Sequence, residues 1–395
     1  MNLSRAFVIV LDSLGVGALP DAAAFGDEGA HTLDHLVGAN GGLVAPRLVE
    51  LGLGCIAGVE SLSVPDEPAG AYGRCAESSP GKDTSTGHWE MMGCPLEAAF
   101  PVYPEGFGPE IMEPFIERAS LPGILGNKAA SGTEILDELG ALHVESGKPI
   151  IYTSADSVFQ VAAHEESFGL ERLYEICRIA RELLDPLGVG RVIARPFVGS
   201  EGGWQRTYNR RDFSLEPPME TSLDRIVAAG QPVVGVGKIE DIYAGRGVSE
   251  SIHTEGNLDG MARFTQRAAE LDSGLLFINL VDFDMLYGHR RDAIGYAAAI
   301  EAFDVQLQRF EEELRPGDMV ILTADHGNDP TVTRDTDHTR EYIPLIVYGP
   351  ELKPGVDLGT RASFADIGAT VEEHLGLNPV GPGESFFSEL QGGQA

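Results

Sequence analysis

At 395 residues the chain is long for one compact core, and with 43% hydrophobic and 23% charged residues it has an ordinary globular composition, which excludes a disordered or fibrous protein. Its 28 basic against 61 acidic residues leave a formal net charge of −33, a surface that repels nucleic acid and anionic membrane. The same surface repels phosphorylated ligands, so an anion site has to be made locally positive by metal ions or by clustered Arg and Lys.

In chain order, the first predicted element is the strand Ala6–Leu11, AFVIVL, cut off by Asp12. It is too short for a bilayer span and lacks a small-residue cleavage site, so a cytoplasmic protein is expected. Cys55, Cys75, Cys94 and Cys177 show no paired metal spacing and are expected to be reduced and structural. The segment GKDTSTGHWE, Gly81–Glu90, sets the hydroxyls of Thr84, Ser85 and Thr86 behind Lys82 and before His88. Such a segment suits a nucleophile loop, although Thr and Gly clusters also commonly cap helices.

A separate pattern follows, with PIIYTSAD from Pro149, a helical LERLYEICRIARELL from Leu170 and GRVIARPFVG from Gly190. It is expected to form a smaller α/β module over 98–218, inserted between core segments 1–97 and 219–395 and bounded by Cys94-Pro95 and Glu216-Pro217-Pro218. Strands are then predicted at PVVGVG from Pro232, LLFINLV from Leu275, MVILTA from Met319 and PLIVYG from Pro344. Between LLFINLV and MVILTA, Tyr296, Ile300, Phe303, Leu307, Phe310 and Leu314 recur at helical spacing and predict a helix over Gly295–Leu314, its stripe packed in the core. Alternating strands and helices predict an α/β fold with a mostly parallel sheet flanked by helices.

Three of these apolar runs end in acid: Val10-Leu11 in Asp12, Leu280-Val281 in Asp282-Phe283-Asp284, and Thr323-Ala324 in Asp325. In open parallel sheets ligands bind beyond the carboxyl ends of the strands, so these aspartates are expected to share a crevice. A single one would be accounted for as a turn or cap residue. His289, His326 and His338 accompany them, and this mixed oxygen and nitrogen set is too large for one tetrahedral ion but suits two metals. Two-metal sites clamp the attacking and leaving oxygens of phosphoryl transfer. His31, His35, His143, His253 and His374 have no ligand-like setting and are expected at the surface or in packing.

The segments FVIVLDSLGVGALPDA, GKDTSTGHWEMMG, YTSADSVFQVAAHE, ARPFVG, GKIEDIY, LVDFDMLYGHRRD, TADHGNDP and TDHTREYIPL together resemble the phosphopentomutases of the alkaline phosphatase superfamily. They occur in the same order from Phe7 to beyond Tyr342. The resemblance implies an alkaline-phosphatase-like core with an inserted cap, and an isomerase that interconverts ribose 1-phosphate and ribose 5-phosphate, or the 2-deoxyribose equivalents, at two Mn²⁺ ions, with other divalent metals possible. It implies one metal at Asp12, Asp325 and His326, the other at Asp284, His289 and His338, and a phosphorylated threonine at Thr84. In the cap, Ser154 and Asp156 match sugar contacts, while Arg195, Arg210 and Lys238 match phosphate contacts. A sugar bisphosphate activator and small-molecule pentose phosphates are the implied partners. The loop from His326 to His338 carries one residue more than the resemblance leads one to expect, around Val332–Asp335. Cofactor-independent phosphoglycerate mutase shares the metal pattern but uses another serine block, and Ser79-Pro80-Gly81 does not supply a sulfatase signature. A phosphatase or phosphodiesterase is the enzymatic alternative, and a metal-binding regulator on an inactive scaffold is the non-enzymatic one.

Overall fold

The computed structural model describes residues 4–154, 157–334 and 336–392. The chain forms two compact units, Met1–Ala98 with Pro217–Ala395, and Ala99–Glu216.

The larger unit is built on an eight-stranded sheet in the order Glu250–Ile252, Val233–Val236, Gly274–Leu280, Arg5–Leu11, Asp318–Thr323, Ile343–Tyr348, Ala71–Cys75 and Asp357–Arg361. The first five run parallel. Phe7, Val8, Ile9 and Val10 are fully buried, as are Leu275–Ile278 and Met319–Ile321, because a sheet covered on both faces selects continuous apolar runs instead of alternation. The helix Ala293–Glu311 covers part of this sheet with Tyr296, Ile300, Phe303, Leu307 and Phe310 buried. It begins two residues before the predicted start, where Asp292 caps it by accepting from the Gly295 amide at 2.8 Å, and it ends before Leu314 in a turn.

Ile343–Tyr348 departs from the parallel pattern, since it lies antiparallel to both Asp318–Thr323 and Ala71–Cys75. Parallel neighbours need a crossover, usually a helix, whereas antiparallel neighbours need only a loop. Among the described residues of the segment 324–342 there is no helix, and the chain turns back at the same edge it left. Sequence patterning missed the short strands Ala71–Cys75, Glu250–Ile252 and Asp357–Arg361, which lie toward the sheet margins where burial leaves little signature.

The smaller unit holds a six-stranded mixed sheet, Leu125–Ala129, Ile150–Thr153, Val158–His164, Arg191–Val198 and Gln205–Arg206 in order, with Arg211–Ser214 also pairing Arg191–Val198. Phe159, Val161 and Ala163 face a core completed by Phe115, Ile176 and Cys177, while Ile150, Tyr152, Ala162 and Phe197 pack with Ile135 and Leu136 on the other side. The helix Leu170–Leu184 occupies the predicted span. All four cysteines are free thiols. Among the described residues, no helix is long and apolar enough to cross a membrane.

Candidate metal centre

The three strands that end in aspartate are neighbours. Arg5–Leu11 lies between Gly274–Leu280 and Asp318–Thr323, with Leu11 opposite Leu280 and Val10 opposite Thr323. Asp12 and Asp325 therefore leave the sheet side by side, and Asp284 follows in the wide helical turn Phe283–Gly288. The antiparallel return brings His338 back to this edge. Asp12, Asp325 and His326 have ligand atoms within 4.8 Å of one another, and so have Asp284, His326 and His338. His326 is common to both groups: its Nε2 lies 3.5 Å from Asp12 Oδ1 and 3.4 Å from Asp325 Oδ2. His289 joins through Nε2, 3.0 Å from Asp284 Oδ2. His338 stacks on His326, ring centroids 3.9 Å apart, with Nε2 3.7 Å from Asp284 Oδ1.

The tautomers suit metal ligation. His289 Nδ1 lies 2.6 Å from Thr336 O, His326 Nδ1 3.1 Å from Gly327 O, and His338 Nδ1 2.9 Å from Lys82 O. A carbonyl only accepts, so each Nδ1 carries a proton, which leaves Nε2 beside the carboxylates as the atom that binds a cation once the ring is neutral. Asp12 Oδ1 and Asp325 Oδ2 are buried and accept no hydrogen bond among the described residues, a costly state unless a cation supplies the missing partner.

The electrostatics agree. Burial, and then the neighbouring Asp325 and Asp284, push the Asp12 carboxyl well above its ordinary range. For Asp284, burial acts upward but is outweighed by His338 and His289, which hold it well below that range. Asp325 is likewise held low against its burial, by His326 and His88. Burial depresses His326, which favours the neutral form that binds metal. Three crowded carboxylates and three imidazoles whose Nε2 atoms face them fit a pair of divalent cations.

Thr84 opens the helix Thr84–Met91, capped by Asp83, whose side chain accepts from the Ser85 and Thr86 amides. Its Oγ1 lies 3.2 Å from His326 Nε2, so the nucleophile candidate meets the cluster directly. Lys82 Nζ pins this loop, donating to His338 O at 2.6 Å and to Asp27 Oδ2 at 3.1 Å. Arg340, fully buried, ties Glu77 and the Gly81 carbonyl to the same loop.

Lys238 follows the strand Val233–Val236 at the same sheet edge, exposed and paired with Asp241 at 3.0 Å. The remaining predicted contacts belong to the smaller unit. Ser154 follows the strand Ile150–Thr153, and Asp156 lies outside the described residues. Arg195 Nε donates to Gln160 Oε1 at 3.0 Å, while Arg210 forks onto Asp212 at 2.7 and 2.6 Å. Burial, and then Arg210, hold the Arg195 guanidinium below its ordinary pKa, as expected where cations gather to meet an anion.

Sequence reasoning missed several polar residues that orient the cluster. Asn279 Nδ2 donates to Asp12 Oδ2 at 2.9 Å, Asn328 Nδ2 to Asp284 Oδ1 at 2.7 Å, and the Ser13 amide to Asp325 Oδ1 at 3.0 Å. Ser13 adopts φ 69° to aim that amide, a left-handed conformation that costs an L-residue roughly 1–2 kcal/mol. The available signal was a hydroxyl directly beside a strand-ending acid, as in Asp12-Ser13, or an amide three residues beyond one, as in Asp325 and Asn328.

A family model described as Metalloenzyme superfamily matches residues 4–379. The phosphopentomutase of Symbiobacterium thermophilum is 56% identical over 389 residues, covering 98% of this chain and 98% of that protein. A phosphopentomutase of Anaeromyxobacter dehalogenans is 55% identical over 389 residues, 98% of this chain and 99% of its own. Among solved structures, a phosphoglycerate mutase of Leishmania mexicana at low cobalt concentration aligns with TM-score 0.50 at 13% identity, covering 98% of this chain and 97% of that one. That last likeness is one of fold.

Proposed function

Since the chain belongs to the phosphopentomutase family within the metalloenzyme superfamily, and is thus a mutase of the isomerase class, we propose that it interconverts ribose 1-phosphate and ribose 5-phosphate, or their 2-deoxy equivalents, through phosphorylated Thr84. The observation that carries this reading is the 3.2 Å approach of Thr84 Oγ1 to His326 Nε2, at the rim of the Asp and His cluster. Two divalent cations, Mn²⁺ foremost, held by Asp12, Asp325 and His326 and by Asp284, His289 and His338, would offset the charge of the transferred phosphoryl group and of the Thr84 oxygen.

The residues then divide the work. In the first half, a sugar hydroxyl oxygen bonds to the phosphorus carried by Thr84, its proton departs, and the bond from phosphorus to Thr84 Oγ1 breaks. The product is the sugar 1,5-bisphosphate. In the second half, Thr84 Oγ1 attacks the other phosphate, the bond from that phosphorus to the sugar oxygen breaks, and the freed oxygen takes a proton. The phosphoenzyme is regenerated and the sugar leaves with its phosphate moved. A bisphosphate of the same kind would prime an unphosphorylated enzyme. We assign Ser154 and Asp156 to the sugar, and Arg195, Arg210 and Lys238 to the phosphate, whose charge the acidic surface does not favour and whose geometry Arg matches with a two-pronged fork.

The test is conversion of ribose 1-phosphate with added Mn²⁺ and a bisphosphate primer, with free phosphate followed in parallel. Isomerisation with little free phosphate, abolished in Thr84→Ala, supports the proposal. Free phosphate as the main product would make the protein a phosphatase on the same cluster.

A further inference from the structure

His88 is fully buried one helical turn beyond Thr84, and it is not among the metal-ligand groups. Its Nδ1 donates to the carbonyl of Thr84 at 2.9 Å. The same atom lies 3.1 Å from Asp325 Oδ2, off the direction of its N–H, so that this carboxylate oxygen keeps its lone pairs for another partner. Both neighbours of Nδ1 are acceptors, which places the proton there. The rest of the ring is held without polar engagement: Nε2 is buried with no hydrogen-bond partner among the described residues, and the imidazole rests 5.9 Å from the Phe277 ring.

The surrounding helix is fastened as firmly. The Tyr243 hydroxyl donates to His88 O, Trp89 Nε1 donates to Ile242 O at 2.9 Å, and at Gly87 any Cβ would collide with the Asp325 carbonyl. The nucleophile's helix and the Asp325 backbone thus meet without an intervening side chain. A purely packing histidine has no need to set its one N–H on the nucleophile's own carbonyl with the same ring edge against a metal-ligand carboxylate.

We infer that His88 is a positioning residue for phosphoryl transfer: its Nδ1–H holds the Thr84 carbonyl while the same edge of the ring lies against the Asp325 carboxylate, so that the nucleophile and one metal ligand keep a single relative placement. This rests on the reading of Thr84 as nucleophile. Groups that orient metal ligands from behind typically change affinity or activity by about 10–100-fold when removed.

The side-chain amide of Asn can reproduce the Nδ1 donor, whereas that of Gln reaches the Nε2 position. The experiment therefore compares His88→Asn and His88→Gln at matched folded fraction, measured by circular dichroism, with two readouts. In the priming assay on ribose 1-phosphate, His88→Asn should hold kcat within about 5-fold of wild type and His88→Gln should lose about 10–100-fold, with KM little changed in either. In a titration of the apo protein with Mn²⁺ followed by electron paramagnetic resonance, His88→Gln should weaken one of two ions about 10-fold and His88→Asn should not. Equal kcat and equal Mn²⁺ affinity in the two variants, whether both high or both low, would overturn the inference. So would a loss of fold in His88→Gln that accounts for its whole deficit. A wild-type protein that turned over no pentose phosphate would instead sink the functional reading, while the Mn²⁺ titration still judged His88.

Discussion

At the scale of single residues, the cluster depends on small polar groups as much as on its acids. Asp284 sits in a buried place where its lone pairs must be aimed, and Asn328 does the aiming at 2.7 Å while Arg291 Nη1 holds Asn328 Oδ1 at 2.9 Å. Asn328→Ala removes a donor to one ligand without removing a ligand. Mn²⁺ affinity is expected to fall about 10–100-fold with the fold intact, read by calorimetric titration of the apo protein. Unchanged affinity would mean that Asn328 only braces the loop. Asp12, Asp284, Asp325 and His326 could be read directly from the sequence because strand-ending acids and a neighbouring imidazole form a local pattern. Asn279, Asn328 and Ser13 could not, since their partners lie 267, 44 and 312 residues away.

At the scale of elements, two short pieces decide the geometry. The helix Thr84–Met91 starts at the nucleophile because Asp83 satisfies the Ser85 and Thr86 amides, both at 3.1 Å. Asp83→Ala should cost about 1 kcal/mol of stability, typical of a lost cap, and lower kcat by more than that stability loss alone would, since the first turn carries Thr84. Urea denaturation alongside turnover separates the two effects, and an unaltered kcat would show that the turn is held by its other contacts. The second piece is the loop 324–342. With no crossover helix among its described residues, Ile343–Tyr348 returns antiparallel, and this places Asp325 and His338 at one edge although thirteen positions separate them. His338 lies in the cluster with Asp284 and His326.

At the scale of the molecule, stability and site are divided between the two ends of the core strands. Arg5, at the amino end of Arg5–Leu11, is fully buried and forks onto Asp318, also donating to the carbonyls of Ala268, Leu271 and Glu313. Asp318→Ala would leave that guanidinium uncompensated, at a cost of roughly 3–5 kcal/mol, while Mn²⁺ affinity of the folded fraction should not change because the cluster is at the opposite ends of the strands. A fall in affinity in step with stability would refute this separation. Removing metal is expected to act in the same direction for another reason: Asp12, Asp284 and Asp325 then repel one another in a buried place, so chelation should lower the unfolding midpoint and Mn²⁺ restore it. The gain approaches about 2.7 kcal/mol per site at a hundredfold excess over Kd. The sequence by itself determined the α/β class, the buried central strands, the helix Leu170–Leu184 and the identity of the clustered acids and histidines, because each is written in local periodicity or in adjacent residues. The strand order, the antiparallel return, the sharing of His326 between two groups and the placement of Asn279, Asn328 and His88 beside the cluster came only with the tertiary structure. Those follow from which strands become neighbours, and that is settled by burial summed over the whole sheet, where no single stretch of sequence carries the answer.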